Sequence, residues 1–169
     1  DAGVFVDDND PLQGIIFAGR VVEDFKLTTG TFVHVGSLRT DAIAAATPAV
    51  HDALVAGQDR EFIGLLAWPN LHACRQLVGN PDATFEDVIR HPDVIGCVKR
   101  GLEAHNASAT GSSMRIARAM LMAEPPSIDG NELTDKGYIN QRAALHRRSG
   151  LVQQLYAEPP CDAVIVIGD

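Results

Sequence analysis

The chain has 169 residues, 46% of them hydrophobic, and a formal net charge of −8. That length supports one globular domain with a real core, and the acidity excludes a nucleic-acid surface, which needs a field of Lys and Arg. The longest apolar runs, residues 62–68 and 163–167, are of strand length and too short to cross a bilayer.

Residues 3–6 read as a short strand, followed by an acidic turn at residues 7–11 and a β run at residues 14–20 that ends in Gly19-Arg20. Residues 21–24 form a short polar link, and residues 26–35 give two strand-like runs around a turn at Thr29-Gly30. Leu38, Ala42, Ile43 and Ala46 recur at helical spacing, with Ser37 as N-cap and Pro48 as stop. Residues 50–56 and 61–68 are rich in β-formers and flank a hairpin loop at Gly57-Gln58-Asp59. Helical periodicity returns at residues 71–78, 85–90 and 94–105, and a small-residue stretch leads into a strand at residues 114–122. Residues 124–138 read as a loop, residues 139–156 as a last helix with Asn140 near its cap, and residues 163–167 as a final strand. Strand pairs followed by helices, without regular βαβ alternation, predict an α+β domain. Its sheet is expected to be small and mainly antiparallel, with an N-terminal two-stranded hairpin and helices packed against the sheet.

Cys74, Cys97 and Cys161 are odd in number and widely spaced, so neither a disulfide framework nor a zinc knuckle is indicated. A reducing, cytoplasmic compartment is expected. The chain opens on Asp1 and enters a strand at once, the pattern expected of a fragment of a longer protein.

Residues 1–11, then Gly14 through Gly19-Arg20, Glu23-Asp24 and Gly30, resemble the start of the C-terminal domain of adenylate-forming enzymes. Residues 23–39 (EDFKLTTGTFVHVGSLR), with residues 133–145 (LTDKGYINQRAAL), are similar to feruloyl-CoA synthetases in particular. The resemblance implies an AMP-forming acid–CoA ligase. In that family a carboxylate joins the α-phosphate of ATP, and the thiol of CoA then displaces AMP, so ATP and CoA are substrates and Mg2+ accompanies ATP. It also implies a large N-terminal ligase domain as partner, an aromatic or fatty carboxylic acid as substrate, no nucleic acid and no membrane. Residues 1–22 would be the end of the linker region and the strand leading to the hinge, and residues 23–169 the mobile C-terminal domain.

By the same resemblance, Asp1 matches the aspartate that bridges the ribose hydroxyls, and Arg20 the nucleotide-contacting arginine before the hinge. Counting back from Gly30 places the hinge at Glu23, with Asp24 beside it; the usual hinge position, two residues after the arginine, holds Val22. Gly30 matches the loop that passes the pantetheine arm of CoA. Lys136 matches the lysine of the adenylation step, although the family's Gly-Lys order reads Thr134-Asp135-Lys136-Gly137 here. Without the resemblance, Asp1 is a solvated terminus, Arg20 an edge charge, Glu23-Asp24 a polar turn, Gly30 a hairpin glycine and Lys136 a solvated turn residue. A non-catalytic α+β interaction module derived from such a domain is the competing expectation. His72 and Cys74 are two apart, a spacing at which side chains diverge on a helix, and do not form half of a metal site. His105, on an apolar helix face, reads as a hydrogen-bonded, partly buried residue, and Arg142, Arg147 and Arg148 read as a solvated helix face.

Overall fold

The computed structural model describes residues 2–19 and 23–168. In chain order the elements are β1 (Ala2–Phe5), β2 (Ile15–Gly19), β3 (Phe25–Lys26), β4 (Phe32–Val33), α1 (Val35–Ala45), β5 (Val50–Ala56), β6 (Ile63–Pro69), α2 (Leu71–Val78), α3 (Phe85–Arg90), α4 (Pro92–Ser108), β7 (Ile116–Leu121), α5 (Gln141–Arg147), α6 (Ser149–Leu155) and β8 (Val164–Val166). Strands β1 and β2 pair as an antiparallel hairpin, as do β3 and β4, and the central sheet has the order β5-β6-β7-β8. The expected α+β architecture is therefore present. Among the described strands only β6 and β7 run parallel, and a parallel pair needs a long crossover, here supplied by α2, α3 and α4.

Alternation along the sheet, interrupted once in β7 by a register shift between Ile116 and Arg118, builds two cores. Ala53, Val55, Ile63, Leu65, Ala67, Ile116, Ala119 and Leu121 face one way and pack with α1, α4 and the β3–β4 hairpin through Leu38, Val98, Leu102, Leu27 and Val33. Leu54, Ala56, Leu66, Trp68, Met120 and Met122 face the other way, against Ile139, Ala144 and Leu155. A sheet buried on both faces reads as near-continuous apolar sequence, which is why residues 62–68 lack polar positions. Among the described residues, no helix is long and apolar enough to cross a membrane.

Local chemistry sets the helix ends. Asn70 accepts from the Ala73 N–H at 3.2 Å to start α2, and Gly79 ends it in the left-handed region at φ +66°. Thr84 and Asp87 form a reciprocal capping box on α3; the Thr84 N–H and hydroxyl hold the Asp87 carboxyl below its usual range. Two boundaries depart from the sequence expectation. Helix α1 starts at Val35 rather than after Ser37, because the Asp24 carboxylate caps it from outside the helix. The single helix expected over residues 139–156 is two, α5 and α6, broken at Arg148 immediately before Ser149-Gly150, a pair that favours a kink.

Candidate functional site

Asp1 and Arg20 lie outside the described residues. The link enters the body of the domain at Glu23 and Asp24. The Asp24 side chain is 8% exposed, with Oδ1 accepting from the Val35 N–H at 2.9 Å and Oδ2 lying 3.1 Å from His34 Nδ1. Both oxygens are thus committed to the start of α1, so Asp24 moves with that helix. Glu23, Asp24 and Lys26 form one wall of a groove of ≈ 520 Å³, and Gln141, Arg142 and Leu145 of α5 line the other side. Gln141 closes the base: its Nε2 donates to Val55 O at 2.8 Å and its Oε1 accepts from Val55 N–H at 3.2 Å. That side-chain amide acts as one further rung on the edge strand β5 and ties α5 to the sheet.

Gly30 occupies the tip of the β3–β4 turn at φ +85°, a conformation that favours glycine, with open space where a side chain would project. The turn is held by Leu27 N–H to Thr31 O and by Thr28 N–H to Arg60 O, each 2.9 Å. Its flanking residues Leu27 and Val33 are buried in the first core.

Lys136 sits on a short tongue. Leu133 and Ile139 form an antiparallel bridge, Thr134 N–H donates to Tyr138 O at 2.8 Å, and Gly137 turns the chain at φ +78°. Lys136 is exposed at the tip beside the exposed Tyr138, and its ammonium makes no ion pair among the described residues. Ile139 and Leu133 pack into the second core. Gly30 and Lys136 are thereby mounted on opposite faces of the central sheet. The groove brings together Glu23, Asp24 and the residues just after the tongue, but Gly30 does not line it.

The sequence reading missed what holds the tongue. Arg148 is buried rather than solvated, and its guanidinium grips the fully buried Glu132 with Nε–Oε1 at 2.7 Å and Nη2–Oε2 at 3.0 Å. Nη2 also donates to Pro125 O at 3.0 Å, the guanidinium lies 5.1 Å from the centre of the Trp68 ring, and Glu132 Oε2 accepts from the Ser127 N–H at 2.7 Å. Burial alone would raise the Glu132 carboxyl, but the bonds from Arg148 and Ser127 outweigh it and hold the group below the ordinary carboxylate range. The signal was present: Gln141, Ala144 and Arg148, at i, i+3 and i+7, lie on one face of α5 and its C-cap, and all three are buried. Arg147, by contrast, is half exposed and reaches Glu124 and Glu132 only at 3.6 and 3.8 Å. His105 bonds Met114 O at 2.8 Å from a partly buried position, as its apolar helix face indicated.

Other reactive groups are tied down or dispersed. Burial, and then the neighbouring Cys97, push the Cys74 thiol up to about 11, which removes it as a thiolate nucleophile at neutral pH. Among the described residues, no group of three or more His, Cys, Asp or Glu is placed to hold a metal ion.

The family model described as AMP-binding enzyme C-terminal domain matches residues 33–159. Similar solved structures include the adenylation domain of a carboxylic acid reductase from Segniliparus rugosus in complex with AMP and a co-purified carboxylic acid (TM-score 0.63, 17% identity, 86% of this chain and 21% of that one). A second is the A-PCP didomain of carboxylic acid reductase from the same organism in complex with AMP (0.61, 18%, 92% and 20%). A third is the adenylation domain of a carboxylate reductase from Mycobacterium chelonae (0.58, 20%, 86% and 21%). The chain spans about a fifth of the length of each, and no curated protein matches it. With three-quarters of its length inside the family's bounds and its fold shared with adenylation domains, this chain belongs to the AMP-binding C-terminal domain family of adenylate-forming enzymes.

Proposed function

We propose that the chain is the mobile C-terminal part of an ATP-dependent acid–CoA ligase of the feruloyl-CoA synthetase type. Residues 1–22 are then the end of the linker and residues 23–169 the swivelling domain, and a larger N-terminal domain supplies the acid pocket and most ATP contacts. In the first half-reaction a carboxylate oxygen attacks the α-phosphorus, forming the acyl-adenylate and expelling pyrophosphate. In the second, the CoA sulfur attacks the acyl carbon and AMP leaves.

The observation that carries this reading is the mounting of Gly30 and Lys136 on opposite faces of one sheet. A single reaction centre can meet both only if the domain turns between steps, which is what a swivelling lid does. Lys136 places a mobile positive charge where negative charge grows on the phosphate. Its offset from the family's Gly-Lys order is two residues, at most about 7 Å of backbone, within the compass of a long side chain on a tight turn. Gly30 leaves its turn open for a narrow chain such as a pantetheine arm. The N-terminal hairpin supports the division at residue 22: Val4, Phe5, Val6, Leu12, Ile15 and Ile16 are all exposed, an apolar display that a lone two-stranded hairpin cannot bury. It is accounted for if the hairpin belongs to the neighbouring domain. The Mg2+ that accompanies ATP finds no carboxylate cluster on the described residues and is assigned to the nucleotide and the larger domain.

The test is Lys136→Ala in the full-length ligase. Adenylation should fall by about 10²–10³-fold, the loss typical of one preorganised electrostatic donor, while CoA transfer from a preformed acyl-adenylate continues. The 169-residue chain alone should release no measurable pyrophosphate. Survival of both half-reactions in the variant would remove Lys136 from the mechanism.

A further inference from the structure

We infer that the buried Glu132–Arg148 pair is a positioning device for Lys136, setting the direction in which the tongue presents its ammonium. This rests on the adenylation role proposed for Lys136.

Residues 122–140 connect β7 to α5 with no helix and only the Leu133–Ile139 bridge, and a connection that long is ordinarily mobile. Here a single arginine holds it at two points: Arg148 Nη2 binds Pro125 O near the start of the connection, and the same guanidinium binds Glu132 at the root of the tongue. Glu132 in turn secures both sides of that root. Its main-chain carbonyl accepts from Asn140 N–H at 2.8 Å, its N–H donates to Ser127 O at 3.0 Å, and its carboxylate accepts from Ser127 N–H. Four residues later comes Lys136. The stacking of Arg148 on Trp68, whose Nε1 donates to Glu124 O at 2.9 Å, fixes the guanidinium plane against the sheet.

Stability alone is a poor reason for such an arrangement. Desolvating two charges costs about as much as their attraction returns, and apolar replacements of buried pairs are often neutral or stabilising. What a bidentate fork adds is direction. A catalytic ammonium misplaced by about 1 Å loses on the order of 10²-fold in rate, so a directional anchor four residues away has a use that a greasy contact would not serve.

The experiment uses the full-length ligase carrying Arg148→Lys, the pair replacement Glu132→Met with Arg148→Leu, Lys136→Ala, and each of the first two combined with Lys136→Ala. Arg148→Lys keeps the charge and loses the fork; the apolar pair removes both charges together, so one variant still tests the inference if the other is destabilised. Melting temperature, pyrophosphate release and CoA transfer from preformed acyl-adenylate are measured on each. Adenylation kcat should fall by at least about 10-fold in both anchor variants, with CoA transfer within about twofold of wild type, and neither should lower adenylation further once Lys136 is alanine. Equal losses in the two half-reactions, or losses that persist in the Lys136→Ala background, would make the pair a fold element only and overturn the inference. Wild-type adenylation in both anchor variants would do the same. If Lys136→Ala itself leaves adenylation intact, the Lys136 role fails first, and that result is separate from the anchor results.

Discussion

Replacing Asp24 by alanine distinguishes an anchor from a pivot. Among the described residues the side chain is the only side-chain acceptor at the start of α1, since His34, the N-cap residue, makes no side-chain cap bond. Losing a cap of this kind costs about 0.5–2 kcal/mol. The bond to His34 adds at most about 1 kcal/mol, because that imidazole is 68% exposed. The expected loss is therefore about 1–2 kcal/mol, a drop in Tm of about 2–8 °C for a domain of this length, and the fold survives it. Asp24→Asn keeps an oxygen toward Val35 and should lose only about 0.5 kcal/mol or less. Urea unfolding reads both values, with the midpoint falling and the slope unchanged, and hydrogen exchange at the Val35 amide reports the cap directly. An alanine variant that unfolds at the wild-type urea concentration, with Val35 equally protected, would refute the anchor.

Gly101→Ala should be among the most destabilising single-methyl changes available. A β-carbon there would collide with the Ala45 carbonyl, 2.9 Å from its carbon, where α4 crosses the end of α1. A loss of about 1–3 kcal/mol or more is expected in thermal denaturation, and an unchanged Tm would show that the crossing can open freely. Glu132 makes acid sensitivity predictable. Its folded carboxyl is held below the ordinary range, so its contribution is complete above the unfolded value, about 4.3, and is lost as pH falls through the lower folded value. The Tm gap between wild type and the apolar pair replacement should therefore shift against wild type as pH is lowered from about 5 toward 2; a gap independent of pH would mean that folding leaves the Glu132 carboxyl unshifted.

Most of the fold was legible because its elements carry strong local signals. Helices α2 and α3 are bounded by Asn70 and Gly79 and by Thr84 and Arg90, and the β5–β6 hairpin by its Gly57-Gln58-Asp59 loop. What failed was non-local. Nothing within residues 34–37 says that α1 starts three residues early, because the capping carboxylate is on Asp24, eleven residues before the amide it holds. The parallel pairing of β6 with β7 is likewise invisible to alternation, which fixes the face of a strand and not its neighbour. For the site, the resemblance singled out Lys136 and Gly30 by motif. It could not reveal Glu132 and Gln141, which fasten the tongue and α5 through contacts closed only by folding.

The division of labour among the cations follows from side-chain physics. In a chain of net charge −8, arginines do the fastening: Arg39 to Asp52, Arg118 to Glu158 and to the carbonyls of Leu155 and Ala157, Arg75 to Ala83 O, and Arg148 to Glu132. A planar fork that stays charged suits fixed, partly desolvated contacts. Lysine is scarce, with three in the chain, and two of them, Lys26 in the groove beside the link and Lys136 on the tongue, are exposed and make no ion pair among the described residues. A flexible stem with a compact charge suits the travel to a phosphate that is proposed for Lys136. The arrangement puts rigidity in Arg148 and reach in Lys136, so exchanging the two types would damage both: an arginine at 136 would keep the charge but not the point-like approach, and a lysine at 148 would keep the charge but not the aim.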